Sequence, residues 1–360
     1  MIEQVSLRNF GPLQSIGWNN LGGINLVIGS NGSGKTFLLK AIYSAIKTLE
    51  KYKRGDDKRH ASVILAEKLY WTFQAEKIGD LTTKRTPEQL SFSMSVEGKE
   101  FTYKFGKDTE SQISSLENHV SPRESNSVFI PAKEILSIHR PILKSRGQDQ
   151  AFGFDDTYYD LANVLMSQPQ RGKNYKGFAA ARTELEKITG GKIEFDESTA
   201  RWQYRDKDRR LFTMGVTAEG IKKISIFDTL LGNRYLDDKS IVFIDELESA
   251  LHPSAISKFL DIIASLAEMG LQFFIASHSY FVVKKLYLLA HRKRNKIDVT
   301  SAGKLMEFTR DNHWNSVQVL SLGDGGANYS CHDLRNGMPD NPIIDESIRL
   351  YEEETELAFK

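Results

Sequence analysis

A chain of 360 residues that contains one cysteine, Cys331, has neither an internal disulfide nor a cysteine-rich zinc site, which points to a reducing compartment. An excess of charge of either sign is also missing. The 48 basic and 47 acidic side chains leave a formal net charge of +1, so the chain as a whole offers no electrostatic case for nucleic acid or a membrane surface. Long apolar runs are absent as well: the best, Ile241 to Ile244 and Phe273 to Ala276, fall far short of the roughly 20 residues that cross a bilayer. Met1 to Phe10 lacks the basic and apolar regions of a signal peptide. The expectation is a cytoplasmic protein with no membrane partner. No internal repeat or low-complexity tract is present, and no sustained heptad series between Lys35 and Asp245 predicts a coiled-coil arm.

Apolar residues make up 40% and charged residues 26%, the usage of an ordinary folded protein, and the length suits a single domain over 1–360 with a substantial insertion. Apolar alternation predicts strands around Glu3 to Leu7 and Gly23 to Ile28, and a hairpin from Leu90 to Phe105 turning at Glu97-Gly98-Lys99. Leu38, Leu39, Ile42, Ile46 and Leu49 put an apolar stripe on a helix from Thr36 to Leu49. Lys51 to His60 reads as a solvated connection, and Val128 to Ile130 as a buried strand that makes the early half β-rich. Between Thr157 and Ile188 the period turns helical, with a break at Gln168 to Gly172, and Lys192 to Tyr204 suggests a further hairpin. Residues 135–210 thus read as an inserted helical and hairpin lobe.

The chemistry concentrates at three strand ends. Gly29-Ser30-Asn31-Gly32-Ser33-Gly34-Lys35-Thr36 satisfies G-x-x-x-x-G-K-[ST] between a predicted strand and a helix. In that setting backbone N–H groups cradle phosphates, Lys35 reaches the β- and γ-phosphates, and the Thr36 hydroxyl faces Mg²⁺. The expected ligands are therefore ATP and Mg²⁺, with Asn31, Gly32, Ser33, Gly34, Lys35 and Thr36 as contacts. Ser240 to Ile244 is a buried-type strand ending in Asp245-Glu246, which places Asp245 on the metal and Glu246 as general base for the attacking water. Leu271 to Ala276 ends in Ser277-His278-Ser279, with His278 as a γ-phosphate contact at a carboxyl strand edge. His252 reads as shaping a turn before a helix from Ser254 to Met269.

This order of motifs resembles the soluble ABC-type ATPases of the AAA-15/AAA-21, OLD-like group, many of which serve bacterial phage defence. Arg8-Asn9-Phe10, the P-loop, Ile130 to Glu134, Thr217 to Lys223, Asp245 to Pro253 and Ser277 to Ser279 carry the resemblance. It implies an α/β P-loop ATPase head with an N-terminal β-rich subdomain and the inserted lobe between Walker A and the signature segment. It further implies a head-to-tail homodimer or higher homo-oligomer in which Thr217, Glu219 and Gly220 face the partner's ATP. The family's signature serine is replaced by Ala218, so either Thr217 supplies the hydroxyl or sensing is weakened. The lid glutamine is replaced by Pro131-Ala132-Lys133-Glu134, where Glu134 is either the substitute metal or water contact or a surface glutamate after the strand.

No Toprim metal arrangement follows His278, and Asn312-His313-Trp314-Asn315 lacks the second histidine of an HNH-type site. The expected function is control of a separately encoded effector by ATP-dependent closure. A DNA-repair ATPase of the RecF or SMC kind, with nucleic acid as a partner, and an ATP-binding scaffold with negligible turnover stand as alternatives.

Overall fold

The computed structural model describes residues 1–84, 86–167, 176–292, 316–323 and 326–358. At the N-terminus, β1 (Ile2–Phe10) and β2 (Leu13–Trp18) bury Val5, Leu7, Phe10, Ile16 and Trp18 on one face and leave polar residues on the other, the pattern of an antiparallel sheet covered on one side. Strand β3 (Ile24–Gly29) is buried on both faces and runs into the P-loop and α1 (Lys35–Lys51). After α1 come α2 (Ala61–Phe73), then β4 (Leu90–Val96), β5 (Lys99–Phe105) and β6 (Ser115–Asn118), which complete an antiparallel sheet in the order β2-β1-β4-β5-β6.

Strand β7 (Ser127–Ile130) leads to α3 (His139–Gly147), α4 (Asp156–Leu165) and α5 (Lys176–Thr189), then to the small sheet of β8 (Gly191–Asp196), β9 (Arg201–Asp206) and β10 (Leu211–Thr213). The expected break at Gln168 to Gly172 lies outside the described residues from Gln168 onward. Helix α6 (Glu219–Gly232) then returns the chain to β11 (Ile241–Asp245), α7 (Pro253–Glu268), β12 (Gln272–Ser277), α8 (Tyr280–Ala290), β13 (Val317–Leu322), β14 (Tyr329–Asp333) and α9 (Pro342–Ala358). The second large sheet runs β14-β13-β3-β12-β11-β7, parallel except for β14.

Alternation along these central strands divides the core into two. Val27, Phe129, Ile241, Phe243 and Phe274 face α1 and the antiparallel sheet, whereas Leu26, Ile130, Val242, Ile244 and Phe273 face helices α6 to α8. Helix α1 therefore lies between two sheets, and the single apolar stripe expected for it understates its burial. Even Lys47 and Glu50 are covered, and they pair with each other at 2.7 Å, which offsets part of the cost of desolvating them. The early half is also less purely β than its pattern suggests. Helix α2, which no periodic stripe announced, caps its N-terminus with His60 accepting from the Ser62 N–H. His252 caps α7 in the same way, accepting from the Ser254 N–H.

Because β3, β11 and β12 are parallel neighbours, their carboxyl ends lie side by side. That brings Gly29, Asp245 and Ser277 to one edge of the sheet, the position where open α/β sheets gather ligand groups.

Candidate active site

The P-loop leaves β3 with Gly29, Gly32 and Gly34 at φ 154°, 81° and 96°, conformations that side chains rarely adopt. At Gly29 a Cβ would lie 2.6 Å from both Ser33 Oγ and the Leu322 carbonyl, so the loop is drawn tight against β13. Gly34 caps α1 without any side-chain hydrogen bond, which leaves the first amides of the helix directed at the loop's hollow. Ser33 Oγ is buried there with no partner. An orphaned hydroxyl, three glycines and a helix N-terminus form a donor set that fits a phosphate chain. Lys35 Nζ donates to the carbonyls of Gly29 and Ser30 at 2.9 and 2.8 Å. Burial lowers its ammonium below the ordinary lysine range, while Asp245, Glu246 and Glu248 oppose that shift.

Thr36 Oγ1 donates to both oxygens of Asp245, at 3.0 and 2.9 Å. Burial raises the Asp245 carboxyl above its usual range, and the Thr36 hydrogen bond works against burial. A hydroxyl and a carboxylate held together at a triphosphate's end suit Mg²⁺. Glu246, the next residue, stands at φ 46°, an uncommon conformation for a side-chain-bearing residue. Lys223 stabilises this turn from behind, donating to the main-chain carbonyls of Asp245 and Glu246 at 3.1 and 2.5 Å. Burial depresses the Lys223 ammonium to about 8 despite Glu248, Asp245 and Glu246 nearby.

These residues line a cleft of about 470 Å³ with Asn31, Gly32, Gly34, Phe37, Lys40, Thr72, Phe73, Gln74 and Asp155. Of the residues singled out from sequence, Asn31, Gly32, Gly34, Lys35, Thr36, Asp245 and Glu246 meet here. Asp155 was not anticipated. It caps α4 and pairs with Lys40 at 2.7 Å, and an Asp-Asp pair before a helix reads from sequence only as a cap. Tyr158, one turn further on, has its phenol pushed up to about 12 by burial and by Asp155 and Asp245.

The remaining candidates lie outside this cleft. His278 is half exposed. Its backbone N–H donates to Glu248 Oε1 at 2.8 Å, and its Nδ1 sits 3.3 Å from the same oxygen. Glu134, expected near the metal, instead accepts from Lys222 Nζ at 3.3 Å and from the Ser137 N–H at 3.2 Å. Lys222 also pairs with Glu219 at 2.7 Å, so a buried lysine ties the lid segment to the start of α6. Thr217 Oγ1 donates to the Thr213 carbonyl at 2.9 Å, which turns that hydroxyl inward. Gly220 is buried, and a Cβ on it would lie 2.6 Å from the Ala250 carbonyl. Its small size serves packing against the segment that follows Glu248. The tract around His313 lies outside the described residues.

Parallel strands ending in a P-loop, an Asp-Glu pair and a histidine, with an antiparallel sheet over α1, define a P-loop ATPase fold of the ABC and SMC head type. The chain belongs to the family described as "AAA domain, putative AbiEii toxin, Type IV TA system", whose model matches residues 24–284. No curated protein matches it. Among solved structures it is similar to an SMC head bound to the C-terminal winged-helix domain of ScpA, at 13% identity and a TM-score of 0.51, covering 94% of this chain and 99% of that one. It also matches an SMC head with an extended coiled coil from Pyrococcus furiosus at 13% identity and a TM-score of 0.49, with 97% and 99% covered. Among the described residues no helix is long and apolar enough to cross a membrane.

Proposed function

We propose that this protein binds and hydrolyses ATP, closes head-to-tail as a homodimer on two ATP molecules, and through closure controls a separately encoded nuclease or toxin in anti-phage defence. The observation that carries the ATPase reading is the meeting of Lys35, Thr36, Asp245 and Glu246 in one cleft below the P-loop. Bound Mg²⁺, held by Thr36 and Asp245, would neutralise charge on the β- and γ-phosphate oxygens. Lys35 exchanges its loop carbonyls for those phosphates. Glu246 takes a proton from water as its oxygen bonds to the γ-phosphorus and the bond to the ADP oxygen breaks, leaving ADP and inorganic phosphate.

Support for the head-to-tail arrangement comes from α6. Val216, Ala218 and Glu219 at its N-terminus are exposed, and none lines the chain's own cleft. An N-terminal helix end presented outward is an anion site for a partner's γ-phosphate. The toxin and type IV system in the family's description support the defence setting. One observation favours slow turnover: Ala218 has no hydroxyl, and that of Thr217 is engaged with Thr213.

Glu246→Gln should reduce phosphate release at least about a hundredfold while keeping ATP binding. Unchanged turnover in that variant would remove Glu246 as the base. Wild-type turnover indistinguishable from background would favour the scaffold reading. Chains that co-purify with Glu246→Gln and ATP from host cells identify the effector, and recovery of DNA alone would favour the repair reading.

A further inference from the structure

The cleft has two unlike ends. One carries the P-loop amides, Lys35 and the Asp245-Glu246 pair. The other is walled by Phe37, Thr72, Phe73 and Gln74, and the Lys40–Asp155 pair, 2.7 Å apart, also lines the cleft. A triphosphate belongs at the first, which leaves the second for the nucleoside. We propose that Gln74 reads the nucleobase there and selects adenine over guanine. This rests on the cleft being a nucleotide site.

The aromatic wall is held in place before any ligand arrives. A Cβ on Gly11 would lie 2.2 Å from the Phe37 ring, so the ring packs directly on backbone. Phe73 lies 4.5 Å from it between centroids, and Phe10 meets it edge-on at 5.3 Å. A fixed apolar wall of this kind suits the face of a heterocycle.

Beside it are two polar atoms with nothing to bond. Gln74 Nε2 and Thr72 Oγ1 are both buried and without a hydrogen-bond partner. Leaving such groups unsatisfied destabilises a fold unless something else meets them. Gln74 also ends α2 at φ 50°, a left-handed position where glycine is the ordinary residue. A carboxamide offers one donor beside one acceptor, which matches the adjacent amine and ring nitrogen of adenine. The corresponding edge of guanine presents two acceptors and calls for two donors.

The test is competition against a fluorescent ATP analogue by ATP, GTP and inorganic tripolyphosphate. The wild-type chain should prefer ATP over GTP by about tenfold or more. Gln74→Gly should bring the two nucleotides to near equality and leave tripolyphosphate unchanged. Its thermal midpoint should be no lower than wild type, because glycine relieves the left-handed backbone. Gln74→Asn, one methylene shorter, carries the same test should the glycine variant fold poorly. A wild-type chain without base preference, or an ATP-to-GTP ratio unmoved by either variant, overturns the assignment. Lys35→Ala separates the two readings: if it abolishes binding while Gln74→Gly keeps the preference, only the base-reading role fails. If the wild-type chain binds neither nucleotide nor tripolyphosphate, the nucleotide site itself fails and the base reading falls with it.

Discussion

Lys223 carries a charge in behind the Asp245-Glu246 turn, and its cost depends on pH. Its ordinary value is 10.5 and burial brings it to about 8 in the folded chain. Between those values the unfolded chain holds a proton that the native chain has released, so stability climbs as pH rises through this window. From this group alone the gain approaches about 3 kcal/mol. Urea unfolding at pH 7.5 and pH 10 should show that slope in the wild type and its loss in Lys223→Met. Parallel curves for the two chains would remove the assignment. Such a lysine is not legible in sequence, because Lys222-Lys223 on a helix looks like a solvated face. Thr36, Asp245 and Glu246 were legible, because each sits at a fixed step from an apolar strand or a glycine loop.

Helices α1, α2 and α4 are joined by buried charge. Lys68 of α2 pairs with Asp156 at 2.9 Å and with Asp160, and Tyr43 of α1 donates to Asp160 at 2.7 Å. Burial pushes the Lys68 ammonium down, but Asp160 and Asp156 outweigh it and raise it. Arg146 of α3 joins from the other side, 3.1 Å from Asp156 and with its guanidinium 3.6 Å from the Trp71 ring centre. Replacing Lys68 by methionine keeps the volume and leaves two buried carboxylates short of a cation, which should cost about 3 to 5 kcal/mol in chemical denaturation. A loss below about 1 kcal/mol would show the pairs to be effectively solvated. Asp155, which meets Lys40 at the cleft, is the neighbour of Asp156, so this network ends at the nucleotide site. Of these elements only α1 and α4 announced themselves by periodicity. Helix α2 is apolar on nearly every side, so it has no stripe to read.

At the scale of the molecule, the proposed closure puts one half of the chemistry in the cleft and the other half at the exposed N-terminus of α6. A head-to-tail dimer predicts complementation. Lys35→Ala and Ala218→Arg chains should each be inactive, and Ala218 is exposed, so arginine there leaves the fold intact. Mixed one to one, they form heterodimers with one composite site intact, and should recover of the order of a quarter of wild-type phosphate release. Mixtures as inactive as the separate chains would argue against composite sites.

Local chemistry settled the P-loop, the strands ending in Asp245-Glu246 and Ser277-His278, and the α/β class, because glycine conformations and uninterrupted apolar runs are properties of a few adjacent residues. Tertiary structure alone decided that Glu134 faces Lys222, that Thr217 turns inward to Thr213, and that Gln74 and Asp155 wall the cleft. Those outcomes depend on which polar groups from distant segments are desolvated together, and a buried group takes whichever partner the packing supplies.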